Sequence, residues 1–281
     1  MTLVLIGILS VQFGAAISKN LFSEVPPAGM VLLRIATSAL ILLAWARPRL
    51  SGRTAADWRP VLALGAALAA MNWAFYESFA RIPLGVAVTL AFVGPLALAA
   101  AGRRRPRDLM SVGLAALGVV LFGAGPTKID AFGFGLALFA GACWALYILS
   151  TAATGRRWAG IDGLALASTV AAMAVAPFAI ASAGEKLLEP RLLALGAVVG
   201  LLSSVIPYSL EMAALRTLPP RVFGILMSLE PATAAVVAAI VLREWLSPLQ
   251  LVAIACVTAA SVGATRTAPA PESEPATRTD G

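Results

Sequence analysis

The chain of 281 residues contains no histidine. That absence removes a histidine proton relay, a zinc site with imidazole ligands and any serine–histidine catalytic pair. Cysteine is scarce: Cys143 and Cys256 both sit inside apolar runs, so there is no disulfide framework, no metal-ligand spacing and no cofactor to expect. Charged residues make up 12% of the chain, where a soluble domain devotes about a quarter to them. All five aspartates, Asp57, Asp108, Asp130, Asp162 and Asp280, fall outside the apolar runs, which excludes an intramembrane aspartyl dyad. No Gly-Lys-Ser or Gly-Lys-Thr phosphate loop occurs, so an ATP-driven motor is excluded. An enzyme would need a convergent nucleophile, acid or metal constellation, and these residues offer none.

Apolar residues, by contrast, make up 60% of the chain. They come in nearly uncharged runs of roughly 17 to 25 residues, the length a helix needs to cross about 30 Å of hydrocarbon. The runs are continuous rather than alternating, which argues for helices that satisfy their own backbone and against a β-barrel. The reading is an all-α membrane protein with ten predicted spans near 2–21, 26–46, 60–80, 83–101, 109–125, 132–152, 163–183, 192–215, 220–242 and 248–265. The first run lacks the positive flank of a signal peptide and is kept as a span.

The net charge of +7 does not point to nucleic acid, because the basic residues lie in short clusters between apolar runs. They report topology. Arg47, Arg49, Arg53, Arg59, Arg103, Arg104, Arg105, Arg107, Arg156, Arg157, Arg216, Arg221, Arg266 and Arg278 fall on one side. Lys19, Arg81, Lys128, Lys186, Arg191 and Arg243 fall on the other. Fourteen against six places both termini in the cytoplasm. Residues 267–281, rich in Pro, Ala, Thr and Glu, are predicted to be a disordered tail.

An internal repeat is visible in the prolines. "PLGVAVTLAFVGP" runs from Pro83 to Pro95 and "PPRVFGILMSLEP" from Pro219 to Pro231, both pairs offset by 136 residues. Pro106 and Pro248 each open the last helix of a half. Two halves, 1–126 and 127–266, with five helices each make the second copy enter the membrane inverted, an arrangement of alternating-access transporters. Pro95 and Pro231 are candidate hinges, and helices 1, 3, 4, 6, 8 and 9 are expected to line a midplane cavity.

A charge inside a span costs about 2.5–3.5 kcal/mol on insertion scales, so the few present are candidates for function. Glu211 shares a helix face with Tyr208, after Pro207 and the polar pair Ser203 and Ser204; it is a substrate contact or a packing glutamate. Glu230 either meets substrate or bonds backbone groups freed by Pro231. Arg34 is a structural or coupling charge, with pairing to a glutamate favoured over a substrate carboxylate. Asn72 and Tyr76, with Trp73 beside them, and Trp144 with Tyr147 form polar–aromatic faces, and Gln12 interrupts an apolar run; each is also compatible with core packing. Glu77 is expected to pair with Arg81 at i, i+4. Lys19 is expected to snorkel to the interface. "GAVVG" at Gly196–Gly200 reads as a helix-packing motif.

The segment "IPYSLEMAALRTLPPRVFGILMSLEPATAA" from Ile206 to Ala235 resembles bacterial threonine and homoserine exporters of the drug/metabolite transporter superfamily. "GACWALYILS" and "IPLGVAVTLAFVGPLA" are similar to the same family. The resemblance covers all ten predicted helices and implies two EamA-type repeats and export of small neutral amino acids across the bacterial cytoplasmic (inner) membrane. Arg34, Asn72, Tyr76, Tyr208, Glu211 and Glu230 match the family's pattern; Glu77 departs from it. Aromatic amino acids, drugs or other small metabolites are the alternative cargo. A carboxylate shielded from water can exchange charge for a proton, which makes Glu211 or Glu230 a candidate for proton antiport. The expected partners are an amino-acid substrate and membrane lipid, not nucleic acid, and nothing in the sequence supports a homodimer.

Overall fold

The computed structural model describes residues 1–101, 106–124, 129–215 and 217–266. The predicted tail 267–281 and Arg103, Arg104, Arg105, Lys128 and Arg216 therefore lie outside the described residues. Among the described residues every regular element is helical. The helices are α1 (Thr2–Asn20), α2 (Pro27–Ala46), α3 (Ala55–Phe79), α4 (Leu84–Ala101), α5 (Pro106–Gly123), α6 (Ala131–Gly155), α7 (Asp162–Ala183), α8 (Pro190–Gly200), α9 (Ile206–Leu215), α10 (Pro220–Met227), α11 (Glu230–Val237) and α12 (Pro248–Arg266). A short 3₁₀ turn, Gly184–Leu188, follows α7, and π-helical turns occupy Leu201–Val205 and Ala238–Leu242.

Among the described residues seven stretches are long and apolar enough to cross a membrane, and Leu84–Ala99 and Met110–Gly123 are shorter apolar helices. Proline opens α2, α8 and α10, where its missing N–H removes no helical bond. The predicted run 192–215 is α8, a π turn and α9 in succession; the run 220–242 is α10 and α11 with a break at Ser228 and Leu229. The two matched prolines behave differently. Pro95 lies inside the unbroken α4, whereas Pro231 stands in the first turn of α11, just after the break.

The helices pack α2 along α7, α3 along α6 and α7, α4 along α6 and α11, α5 along α12, and α1 along the first π turn and α9. Small residues permit this. A Cβ on Gly94 would run into the Gly141 carbonyl, and one on Gly141 would lie 2.6 Å from the Ala91 carbonyl oxygen, so α4 and α6 meet backbone to backbone. Gly196 and Gly200, the predicted packing motif, lie against Leu33 and the Arg34 backbone of α2. Apolar side chains such as Leu40, Phe178 and Ile240 point outward and are more than half exposed, as expected where lipid is the solvent.

Polar ties join the helix ends. Arg157 pairs with Asp57 at 3.1 Å and the Trp158 indole N–H donates to the Asp57 carbonyl at 2.9 Å, linking the start of α3 to the α6–α7 connection. Arg191 pairs with Glu24, linking α8 to the α1–α2 connection. Lys19 does not simply reach into solvent. Its ammonium pairs with Glu244 at 2.5 Å and donates to the Ile82 carbonyl at 2.8 Å, while the other Glu244 oxygen accepts from the Leu84 N–H at 2.8 Å. The expected Glu77–Arg81 pair is present at 2.5 Å.

Candidate functional site

Between the helices lies a cavity of about 420 Å³, bounded by α1, α2, α3, α4, α6, the first π turn, α9, α10 and α11. Its position follows from the local breaks. In the π turn each N–H reaches back five residues, so the acceptor that residue 207 would serve is the Leu202 carbonyl. Pro207 has no N–H to give. The Ser10 hydroxyl of α1 donates to that carbonyl at 2.7 Å, so a side chain of one helix closes the gap left in another. The turn sets Ser203, Pro207 and Glu211 on the cavity wall. On the facing side Pro231 cannot serve the Met227 carbonyl four residues back, α10 ends at Met227, and Glu230 opens α11 at the cavity.

Gln12, Arg34, Asn72, Tyr76, Trp144, Glu211 and Glu230, which the sequence singles out from six separate segments, all line this one cavity. Tyr147 lines it as well. The side chain of Tyr208 lies outside the described residues, although its position in α9 is one turn before Glu211. Trp73 is not on the cavity wall and packs against Ala74, Leu136 and Ala140. Pro95 and Pro231 are not on the wall.

Arg34 has no carboxylate within ion-pair distance among the described residues, contrary to the pairing expected from the sequence. Its guanidinium instead donates to the Asn72 carbonyl oxygen and, at 3.5 Å, to the Tyr76 hydroxyl, and it lies 5.3 Å from the Tyr76 ring centre. Asn72 is itself held by its amide N–H to the Leu68 carbonyl at 2.8 Å, and the Tyr76 hydroxyl is 3.3 Å from Ser18. The guanidinium is thus aimed from two sides by uncharged partners, which leaves its charge unneutralised. Around Tyr76 the rings of Phe22, Phe75 and Phe79 pack together, with Tyr76 and Phe79 centres 4.7 Å apart. Trp144 is fixed by an edge contact with Phe92 at 5.6 Å. Neither Glu211 nor Glu230 has a hydrogen bond or a cationic partner among the described residues, so the backbone bonding considered for Glu230 is not what holds it. Among the described residues the cavity therefore holds one cation and two carboxylates, separately mounted, on an otherwise largely apolar and aromatic wall.

Comparison with known proteins shows what such a chain is similar to. The sequence profile of the EamA-like transporter family matches residues 131–266. The chain is 45% identical over 270 residues to the threonine/homoserine exporter RhtA of Escherichia coli K12, covering 94% of this chain and 90% of that protein. It is 45% identical over 271 residues to the threonine/homoserine exporter RhtA of Salmonella typhimurium LT2, with the same coverage. The chain belongs to the EamA-like transporter family. It is a transporter rather than an enzyme, and a multi-pass protein of the bacterial inner membrane. A solved crystal structure covers 94% of the chain and 96% of its own length with a TM-score of 0.59 at 17% identity, a likeness of fold alone.

For an EamA-like transporter, the ionisable wall residues were the legible part of the site, because a charge in an apolar run stands out. Met71, Phe75, Phe223 and Met227 also line the cavity. They carry no sequence signal, since a methionine or phenylalanine in an apolar run looks the same whether it faces lipid, core or cavity. The participation of α2 was likewise missed as a lining helix, although Arg34 itself was singled out.

Proposed function

We propose that this protein exports small neutral amino acids, threonine and homoserine foremost, from the cytoplasm. The observation that carries the reading is the cavity itself. Arg34, left without a carboxylate, faces the same space as Glu211 and Glu230, left without a cation, and a free amino acid brings one carboxylate and one ammonium. Arg34 receives the substrate carboxylate, with Asn72 and Tyr76 aiming it; Glu211 receives the ammonium, with Tyr208 one turn away. Trp144 contributes an apolar face and Gln12 a polar one. Proton antiport runs through Glu211 or Glu230. The 45% identity to proteins named threonine/homoserine exporter supports this choice of cargo.

The chain crosses the membrane ten times in two inverted halves, 1–126 and 127–266, with both termini and the tail 267–281 in the cytoplasm. Supporting this, exchanging first-half helices for their second-half counterparts maps the main packings onto one another. The α2–α7 and α5–α12 pairs map onto themselves, and α3 against α6 maps onto the α8–α9 run against α1. The halves rock about the cavity, with the break before Pro231 as the principal hinge and Pro95 its counterpart.

The test is export of labelled threonine, homoserine and phenylalanine from cells expressing the wild type or Glu211→Ala at matched levels. Efflux of the first two, lost in the mutant, is expected. No efflux of either from well-expressed wild type overturns the cargo, and phenylalanine efflux alone moves it to aromatic amino acids. Glu211→Gln exporting at the wild-type rate under an imposed pH gradient removes Glu211 from any proton coupling.

A further inference from the structure

The cavity approaches the two ends of the bundle unequally. Toward the face proposed as cytoplasmic its wall runs to Glu211, one turn before the end of α9, and to Phe223, near the start of α10. Toward the other face the wall stops, along α3, at Tyr76. Phe79, one turn further on, packs on Tyr76 with ring centres 4.7 Å apart and stacks on Phe22 at 5.3 Å. Phe79, Ile82 and Leu84 are each 2% exposed or less, so an apolar plug closes this end. The Lys19–Glu244 pair is bonded to the main chain of that plug: the ammonium donates to the Ile82 carbonyl and the carboxylate accepts from the Leu84 N–H.

The pair draws together segments that do not otherwise pack on one another. Among the described residues α1 packs along α9, α11 and both π turns, and along none of α3, α4 and α12. Lys19, in the last turn of α1, nevertheless holds the α3–α4 connection and, through Glu244, the connection before α12. Lys19 belongs to the first of the two proposed halves and Glu244 to the second, so the bond crosses between the parts that rock. Its chemistry suits a tie that breaks and reforms. The two side chains are 18% and 19% exposed, so water can take over both charges as they part, whereas separating a dry pair would strand them. Resting on the export reading and the topology above, we propose that Lys19 and Glu244 are the latch of the periplasmic gate, closed while the cavity faces the cytoplasm and parted when cargo leaves to the outside.

The experiment labels single cysteines in the full chain with a membrane-impermeant maleimide, on right-side-out and inside-out membrane vesicles, in a background of Cys143→Ala and Cys256→Ala. Ser18→Cys reports on the plug, because Ser18 is wholly buried with its hydroxyl 3.3 Å from that of Tyr76. Phe223→Cys reports on the cytoplasmic mouth. With the pair intact, Phe223→Cys is expected to react from the cytoplasmic face and Ser18→Cys to be protected from the outside. Lys19→Met is expected to raise outside labelling of Ser18→Cys by about fivefold or more and to lower inside labelling of Phe223→Cys, while Lys19→Arg keeps the original pattern. Lys19→Met/Glu244→Gln leaves no stranded charge and is expected to shift both reporters in the same way; it carries the test if Lys19→Met alone does not accumulate. Unchanged labelling of Ser18→Cys, or a rise there with no fall at Phe223→Cys, shows a tie that merely steadies one end of the bundle and overturns the latch. The same two shifts with the vesicle faces exchanged overturn the topology and the periplasmic assignment with it. No amino acid takes part in the labelling, so a wild type that fails to export threonine overturns the cargo reading and leaves the latch standing.

Discussion

Ser10 is a serine in an apolar helix whose role is set by a proline almost two hundred residues away. Its hydroxyl serves the Leu202 carbonyl that Pro207 cannot reach. Ser10→Ala therefore leaves a buried carbonyl unpaired and should cost about 1–3 kcal/mol. The midpoint of thermal unfolding in detergent should fall accordingly; an unmoved midpoint would show that the carbonyl finds another donor. Asp57 is the clearest residue for pH. The Thr54 backbone N–H, then the Thr54 hydroxyl and Arg157, hold its carboxyl down from an ordinary 3.8 to about 2. A depressed value means the contribution to stability is present above 3.8 and is lost as pH falls through about 2. Carboxyl NMR of the labelled protein should find Asp57 titrating near the lower value, and a midpoint near 3.8 would contradict the Thr54 hydrogen bonds first and the Arg157 pairing with them.

Elements are held by contacts of backbone on backbone and by a few ion pairs. The α4–α6 crossing has no room at Gly94, whose added methyl would strike the Gly141 carbonyl, an atom that cannot swing aside. Gly94→Ala should destabilise by about 1–3 kcal/mol or more. Gly135→Ala, on the same α6 but with nothing near its Cβ, should be neutral or stabilise by up to about 1 kcal/mol. Comparable yield and melting for the two variants would refute the close crossing. The Lys19–Glu244 pair, each side chain less than a fifth exposed, fastens the end of α1 to the loop before α12 and to the start of α4. Lys19→Met strands a carboxylate and should cost about 1–3 kcal/mol. Adding Glu244→Gln should recover part of that loss, because a neutral amide is less costly to leave unpaired.

At the scale of the whole molecule the proposed topology makes a direct prediction: a fluorescent protein fused after the last residue should fold and fluoresce in the cytoplasm, while alkaline phosphatase at the same place should stay inactive. The reverse pattern would invert the assignment of both faces. Sequence by itself determined the solvent and the helical class, because the length of an apolar run is a local property that lipid acts on directly, and it indicated the family through the resemblance carried by the segment Ile206 to Ala235. It also marked Gln12, Arg34, Asn72, Tyr76, Trp144, Glu211 and Glu230, since a polar group among apolar ones is conspicuous wherever it points. Only the tertiary structure decided that these seven face one space, that Arg34 bonds Asn72 and Tyr76 rather than a glutamate, and that Lys19 finds Glu244. It alone distinguished Pro231, beside a break, from Pro95, inside an unbroken helix. Those outcomes depend on which faces of separate helices meet, and packing between segments distant in sequence is a property that no single run of residues contains.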